Sequence, residues 1–215
     1  MKMTQPRLVK ILHDDLDIYE ALAKNDEDLN EYAFKNQLID GIRKNHLSVQ
    51  SCTFTNCIFT ACQIKKSQFS DVVFRNCDLS NIHLTGCGFH RVEFIGCKLM
   101  GTNLAESIFN HVLIQECLGE YANFSMGKLT NVKMEQSNMR GTSMESCQLS
   151  QILFEDCNLA EVEFYGTSLK GIDLSGSEIS GIRISSPASS ELRGATVTSL
   201  QALELARMLG IHIQD

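Results

Sequence analysis

The sequence predicts an all-β solenoid, and the main reason is a strict five-residue repeat. All nine cysteines have residue numbers ending in 2 or 7, and all eleven phenylalanines have numbers ending in 4 or 9. From Phe54 to Ile184, every position of the second kind is large and apolar except Gly119. A period of five fits neither an α-helix nor a flat strand. It requires a wall that turns a corner once per repeat, with the centre of each repeat and the residue two before it pointing inward.

The number of repeats in one coil follows from which residue types recur. Stacked positions share an environment, so they should resemble one another. At a spacing of twenty residues the inward positions sort into uniform columns: Val72, Val92, Val112 and Val132; Cys57, Cys77, Cys97 and Cys117; Phe69, Phe89 and Phe109. A coil of fifteen residues would mix these columns. Four repeats therefore close one square coil.

This pattern resembles the pentapeptide-repeat proteins from about residue 50 to residue 186. The resemblance implies a right-handed quadrilateral β-helix. With coils about 4.8 Å apart, roughly seven coils would form a rod about 33 Å long. The open ends of such a rod are unpaired strand edges, so both ends should be covered.

The two flanks are predicted to cover these ends, within a single domain of 215 residues. Residues 1–49 should form an N-terminal cap, with an irregular first coil and a helix from Pro6 to Lys24 indicated by apolar residues at three- and four-residue spacing. Residues 187–215 should form a C-terminal cap and dimerisation module. There, Thr198 and Gln201 have the spacing of a capping box, Gly210 is a helix stop, and residues 211–213 suggest a short strand.

Several functional classes find no support in the sequence. The cysteines should be reduced, buried and unmetallated, because parallel inward thiols do not converge on a metal ion, and so many free thiols favour a reducing cytoplasm. No nucleophile, phosphate loop or cofactor motif stands out, so we expect neither enzyme nor cofactor. The six histidines are interpreted as surface residues, although His90 and His111 could approach each other at a corner. No membrane span or signal peptide is predicted.

The outward residues distribute charge unevenly over the four walls. Wall 1 comprises the outward positions around Phe54, Phe74 and their equivalents at twenty-residue spacing, and walls 2, 3 and 4 follow around residues 59, 64 and 69. Their net charges between residues 53 and 186 are −4, −2, 0 and +2. This distribution disfavours direct binding of nucleic acid. The acidic residues proposed for protein binding lie on walls 1 and 2: Glu93, Glu116, Glu120, Glu135, Glu155, Asp156, Glu161 and Asp173.

Bulk charge alone would not make the rod resemble DNA. Duplex DNA of the same length carries roughly twenty phosphate charges, whereas the walls together carry −4. Mimicry would have to rely on local carboxylates and on lengthening the rod by dimerisation. The alternative is that the acidic residues only keep the rod in solution.

The segment from Ser199 to Ile213 resembles the C-terminal dimerisation module of the quinolone-resistance (Qnr) subgroup and its relatives MfpA, McbG and AlbG. The resemblance implies a homodimeric rod that mimics DNA and binds DNA gyrase or topoisomerase IV, which it protects from fluoroquinolones or peptide toxins or inhibits. The apolar residues that would form the dimer contact are Leu200, Leu203, Leu205, Ala206, Leu209, Ile211 and Ile213.

Two features of the repeats leave alternatives open. Several Qnr proteins carry projecting loops that interrupt the register and are implicated in protection, whereas here the register continues without insertion, so binding is better supported than protection. Gly119 could mark a bulge into which Leu118 turns, or a tolerated defect. The alternative to the Qnr-like function is a scaffold for protein–protein interaction unrelated to topoisomerases, because a fold does not fix a function.

Overall fold

The computed structural model describes residues 3–24, 28–186, 190–208 and 210–214. One short helix, α1 (Ile18–Lys24), precedes thirteen strands, and a second helix, α2 (Ser199–Met208), follows them. The strands are β1 Asp28–Asn30, β2 Ala33–Lys35, β3 Leu38–Asp40, β4 Arg43–Asn45, β5 Ser48–Gln50, β6 Thr53–Thr55, β7 Ile58–Thr60, β8 Gln63–Lys65, β9 Gln68–Arg75, β10 Gly88–Ile95, β11 Ile108–Gln115, β12 Lys128–Glu135 and β13 Gln148–Glu155.

Every strand pairing given by the structure is parallel and offset by twenty residues. Phe89 pairs with Phe69 below it and with Phe109 above it, and seven strands from β1 to β13 stack in this way on one side of the rod. Strands β9 to β13 each pass through walls 4 and 1. On walls 2 and 3, the later coils are joined mainly by single bridges, such as Lys98 with Leu118. The square coil of four repeats and the all-β solenoid are therefore confirmed.

The corners explain why the period is five. Among the residues that the structure describes, twenty-two non-glycine residues adopt a positive φ, and they all have numbers ending in 1 or 6. Such a conformation costs a non-glycine residue about 1–2 kcal/mol. Most of the corner amides offset this cost because they donate to the next coil, as Asn76 N does to the Ile95 carbonyl at 2.8 Å and Glu116 N does to the Glu135 carbonyl at 3.1 Å. Glycines at equivalent corners, such as Gly86 and Gly96, also have a positive φ, whereas Gly176 does not.

The interior is a continuous column of side chains. Phe74 and Phe94 stack with ring centroids 5.0 Å apart, and Phe89 lies 5.0 Å from Phe109 in the adjacent column. The two columns meet edge to face, with 5.9 Å between Phe89 and Phe94. Beyond Phe124 the core is filled mainly by Met and Leu, including Met134, Met139 and Met144, all fully buried. The inward assignment made from the sequence therefore holds along the rod.

Gly119 is a filled gap and not a bulge. Its neighbour Leu118 stays outside the coil and is half exposed, and the ladder remains intact because Gly119 N donates to the Asn138 carbonyl at 2.7 Å. The side chain of Met139 from the next coil occupies the space, since a Cβ at Gly119 would lie 2.6 Å from its Sδ. Of the two alternatives for Gly119, the bulge into which Leu118 turns is wrong, because the backbone register keeps Leu118 on the surface.

The nine cysteines are free and buried. All of these thiols except that of Cys157 donate to backbone carbonyls of the preceding coil: Cys77 Sγ lies 3.4 Å from the Phe54 oxygen and Cys97 Sγ lies 3.4 Å from the Phe74 oxygen. Ser137 takes the same place in this column and donates to Glu135 O at 2.8 Å. Burial raises the pKa of Cys52, Cys87 and Cys147 to about 11. These thiols behave as small interior side chains with a weak donor.

The N-terminal region differs from the prediction in two ways. The coil formed by β1 to β4 is regular, because Leu29, Phe34 and Ile39 are buried in the same register as later coils. The predicted helix from Pro6 to Lys24 is limited to Ile18–Lys24. Residues 8–17 lie outside it, and Ile11 is 86% exposed. The apolar spacing predicted a longer helix than the structure contains. These residues meet the rod on one surface only, and covering that surface does not require a helix of that length.

At the C-terminal end, the predicted capping box is present. Thr198 N donates to Gln201 Oε1 at 2.8 Å, and Gln201 N donates to Thr198 Oγ1 at 3.2 Å. Gly210 adopts φ 73°, and the amides of Gly210 and Ile211 return to the carbonyls of Arg207 and Ala206, which is a Schellman ending. No strand forms in 211–213, because this described segment has no neighbouring strand with which to pair. The predicted strand is therefore wrong.

Candidate protein-interaction surface

The acidic residues of wall 1 fall into a compensated group and an open group. Within the compensated group, Lys133 lies between two coils and pairs with Glu135 and, at 2.8 Å, with Glu155. Hydrogen bonds that its ammonium group donates to these two carboxylates raise the pKa of Lys133. The stacking of Glu135 directly below Glu155 follows from the twenty-residue register. One lysine thus pairs with two of the eight proposed carboxylates and cancels one of their two negative charges.

Glu93 is the most enclosed acid of this wall. It lies in β10 and is partly buried, and burial raises its pKa although the nearby charge of Arg75 acts in the opposite direction. Glu93 also borders two grooves, of about 330 Å³ and 180 Å³, whose other edges are formed by residues 3–8. It is therefore not an open carboxylate.

The two proposed acids of wall 2 have local partners. Arg140 Nη2 lies 2.6 Å from Glu161 Oε1, with both side chains substantially exposed. Exposed pairs of this kind contribute little to stability. Glu120 Oε1 accepts from Asn138 Nδ2 at 2.7 Å, while its Oε2 is buried without a hydrogen-bond partner among the described residues. Wall 2 offers less free negative charge than its sequence suggests.

The open carboxylates are Glu116, Asp156 and Asp173. All three are exposed, and no ion pair found in the described part of the chain includes them. Glu116 and Asp156 occupy the same corner column two coils apart. Asp173 borders a groove of about 270 Å³ with Glu155 and Asp156, and hydrogen bonds from Ser175 hold the pKa of Asp173 below its ordinary value. The free negative charge is thus concentrated in the C-terminal half of wall 1.

An N-terminal segment lies against the rod in a way that the sequence did not predict. Residues 3–12, which we call the strap, pass along the corner between walls 4 and 1. Thr4 N donates to His111 Nδ1 at 3.3 Å, and Arg7 N donates to Asp71 Oδ1 at 2.8 Å. The same residues line the grooves beside Glu93 and Glu135. Their helix-like spacing concealed this arrangement, and no signal in the sequence identified the corner that receives them.

The corner under the strap is a cluster of charged and titratable side chains. Arg91 makes two 2.6 Å hydrogen bonds to the Asp71 carboxylate. Burial acts to raise the pKa of Asp71, but hydrogen bonds from Arg91 and from the Arg7 backbone outweigh it and lower the pKa. The rings of His90 and His111 lie 6.2 Å apart, as the sequence suggested they could. Their neighbours are Arg91 and Asp71, which already pair with each other. This arrangement is suited to a structural role.

The proposed dimerisation residues divide by exposure. Leu205 packs against the core and Ala206 is partly buried, whereas Leu200, Leu203, Ile211 and Ile213 are exposed. Met208, which the sequence-based list omitted, is also exposed. Leu209 lies outside the described residues. The helix is fixed to the last coil by Gln201 Nε2, which donates to the carbonyls of Leu174 at 3.0 Å and Ser177 at 2.7 Å.

The remaining tests concern metals and membranes. Across residues 3–24, 28–186, 190–208 and 210–214, no group of three His, Cys, Asp or Glu side chains could hold a metal ion. Neither helix in this part of the chain has the length and apolar character needed to cross a membrane. The observed geometry therefore directs attention to the outer walls and to α2.

Comparison with known proteins identifies relatives with the same repeats. The family model "Pentapeptide repeat region" matches residues 47–117, 67–138 and 87–164. The uncharacterized protein YisX of Bacillus subtilis is 28% identical over 113 residues, or 53% of each chain. The chain thus spans about half the length of this curated relative.

Two solved structures illustrate the likeness in fold. HetL, a pentapeptide repeat protein involved in heterocyst differentiation regulation in the cyanobacterium Nostoc, is 17% identical, with 87% of this chain and 98% of HetL covered and a TM-score of 0.51. Full-length QnrB1, a plasmid-mediated fluoroquinolone resistance protein, is 17% identical, with 83% and 100% covered and a TM-score of 0.40. None of these matches indicates a catalytic family. Because the family matches together span more than half of the sequence, this chain belongs to the pentapeptide repeat family.

Proposed function

We propose that this protein binds DNA gyrase or topoisomerase IV as a mimic of DNA, and that it modulates these enzymes or protects them from fluoroquinolones or peptide toxins. The observation that carries the proposal is the set of open carboxylates on wall 1 of the solenoid: Glu116, Asp156 and Asp173. The resemblance of residues 199–213 to the Qnr-like C-terminal module supports the same assignment. The likeness to HetL and QnrB1 concerns the fold and does not discriminate between functions.

Dimerisation is part of this proposal. We retain the division into an N-terminal cap at 1–49, repeats at 50–186 and a C-terminal module at 187–215. A second copy seated on the exposed Leu200, Leu203, Ile211 and Ile213 would cover apolar surface that the rod leaves open. It would also double the length over which carboxylates are displayed. We further propose that the protein acts in the cytoplasm, without a cofactor and without binding nucleic acid itself.

The first experiment measures gyrase and topoisomerase IV activity with and without the protein and ciprofloxacin, and binding of each enzyme in competition with duplex DNA. We expect binding that weakens with added salt, because the contacts are between exposed charges. If the protein affects neither enzyme under any of these conditions, the proposed function is wrong and a scaffold role unrelated to topoisomerases is favoured.

A matched pair of double variants tests where the enzyme binds. Glu116→Lys with Asp156→Lys reverses two open carboxylates on wall 1, and Glu106→Lys with Glu145→Lys makes the same charge change on wall 3, where both residues are also exposed. Lysine is compatible with the corner positions because Lys66 already adopts φ 51° at an equivalent one. We expect about a tenfold or greater loss of affinity for the first variant, corresponding to about 1.4 kcal/mol or more, and a much smaller loss for the second. Equal losses would place the binding surface elsewhere.

A further inference from the structure

The strap lies beside the N-terminal half of wall 1, the wall whose open carboxylates we propose for enzyme binding. Residues 3–5 border a groove of about 180 Å³ together with Glu93, Leu113, Lys133 and Glu135. Residues 5, 6 and 8 border a second groove with Val73, Arg75 and Glu93. The strap therefore lies over the N-terminal half of wall 1, whereas the open carboxylates Glu116, Asp156 and Asp173 border neither groove.

The strap follows the spacing of the coils. Asp71 and His111 occupy the same corner column two coils apart, which is about 9.6 Å at about 4.8 Å per coil. Their partners Arg7 N and Thr4 N are three residues apart, which an extended chain spans in about 10 Å. Ser51, one coil below Asp71, donates to the Arg7 carbonyl at 3.4 Å. An extended segment thus runs along the rod axis with its backbone bonded to successive coils.

The attachment is limited. Among the described residues, three hydrogen bonds that involve rod side chains join the rod to strap residues 3–12, and no residue of the strap belongs to the buried core. At its other end the chain is anchored by His13, whose amide donates to Glu31 O and whose carbonyl accepts from Ala33 N, both at 2.8 Å. Few buried contacts and solvent-accessible backbone bonds are the properties of a segment that opens locally without unfolding the domain.

The strap also alters the electrostatics of the wall. Arg7 and Lys10 are exposed on it, so it brings two positive charges to the side of the rod that carries Glu93 and Glu135. A partner with a positively charged DNA-binding groove would be opposed by these charges and by the volume of the segment. Removing the strap would uncover Glu93 and the Lys133–Glu135 pair beside the open carboxylates of the C-terminal half of wall 1.

We propose that the strap is a displaceable cover, hinged at His13, which competes within the chain with a topoisomerase for the N-terminal half of wall 1. This inference rests on the proposed function. Because the enzyme binds the full wall only in the open form, the apparent affinity is reduced in proportion to the open fraction. The bond most open to a specific test is that from Arg7 N to Asp71, because its acceptor is charged and such bonds are the stronger ones.

The experiment compares the full-length protein with Arg7→Pro and Arg7→Ala. Proline removes the N–H donor, whereas alanine removes the same side chain and keeps the donor. Strap opening is measured as the rate of tryptic cleavage after Lys10, identified by mass spectrometry, under limiting trypsin. Affinity for gyrase and topoisomerase IV is measured in parallel. We expect Arg7→Pro to increase both the cleavage rate and the affinity by about tenfold relative to Arg7→Ala, as expected for loss of a hydrogen bond to a charged group.

A variant lacking residues 2–12 provides the limit of a fully open wall, and its melting temperature should remain close to that of the parent because the strap lies outside the core. It should bind at least as tightly as Arg7→Pro. Faster cleavage of Arg7→Pro with unchanged affinity would overturn the proposal that the strap is a cover, while leaving the proposed function intact. Unchanged cleavage would show that this bond does not hold the strap and would also overturn it. If parent and variants alike bind neither enzyme, both proposals fail.

Discussion

Apolar residues of the same type are buried in the coils and exposed in the C-terminal helix. Leu129 is fully buried between Phe109 and Leu149 in its column, whereas Leu200 in α2 is 75% exposed. In the coils, the corner after each repeat returns every fifth residue to the interior. In α2, apolar residues lie on more than one face and the last coil covers only the face that includes Leu205.

The difference shows that apolar content alone does not place a side chain inside. A solenoid position has a neighbour above and below it, so each substitution is felt by two further coils. The helix has a neighbour on one side, and its uncovered leucines are available to a partner. Substitutions in the coils should therefore lower the stability of the fold, whereas substitutions on the exposed face of the helix should weaken dimerisation.

The largest expected effect is that of Phe89→Asp. Phe89 is buried between Phe69 at 5.1 Å and Phe109 at 5.0 Å, so the carboxylate would have no partner. We expect a loss of roughly 4 kcal/mol or more and failure to fold at 37 °C. Phe89→Leu is the control, because Leu129 occupies the same column and a smaller loss should follow. A soluble Phe89→Asp protein with the circular dichroism and melting temperature of the parent would contradict the inward assignment.

Alkaline pH should destabilise the coils next most strongly. The pKa of Cys52, Cys87 and Cys147 is about 11 in the folded chain, against about 8.5 for an unperturbed thiol. Between these values only the unfolded chain loses its thiol protons, so stability should fall as pH rises from about 8.5. The slope is about 1.4 kcal/mol per pH unit for each such thiol.

Urea denaturation at pH 8, 9 and 10 measures this slope. Cys87→Ser is a suitable comparison because its column neighbours Ser67 and Ser107 are already serines that bond to the backbone. The free energy of unfolding of this variant should fall less steeply with pH, and the difference in slope should equal the contribution of one thiol. A decline of the same steepness in both proteins would show that Cys87 does not contribute to it.

Substitutions on the exposed face of α2 should change assembly with little change in folding. We expect Leu200→Glu with Leu203→Glu to give a monomer at micromolar concentration with nearly the parent melting temperature, because both side chains are exposed in one chain. Leu118→Glu introduces a carboxylate at another exposed leucine, on wall 2, and should leave the dimer intact. Sedimentation measures both variants. A dimer that survives in the α2 variant, or a parent that is already monomeric, would refute the dimerisation module.

The smallest effect should come from Gly119→Ala. The new Cβ would meet the end of the flexible Met139 side chain and no backbone atom within 3 Å, and Gly119 does not need a positive φ. The reduced entropy of the unfolded chain offsets the displacement of Met139. We expect a change in unfolding free energy within about 1 kcal/mol by thermal denaturation. A loss of several kcal/mol would mean that the close contact with Met139 is essential to packing.

Prediction from sequence was most complete for the coils and least complete for surface chemistry. The columns of Cys, Val and Phe gave the coil length and the inward positions, and the two-residue signature of Thr198 and Gln201 gave the start of α2. The list of acidic residues was correct as a list of outward positions on walls 1 and 2. The list did not show that Lys133 joins Glu135 to Glu155, or that Glu161 faces Arg140. The rotamers of these long side chains depend on contacts between neighbouring coils.

The sequence by itself determined the solenoid, because a repeat that recurs at every coil imposes the same backbone and the same interior position many times. Tertiary structure alone decided the course of residues 3–12, the place of Met139 beside Gly119 and the face of α2 that meets the last coil. Each of these depends on contacts that occur once in the molecule and are not repeated from coil to coil, such as that of Thr4 with His111. An unrepeated contact of this kind leaves no period from which it could be predicted.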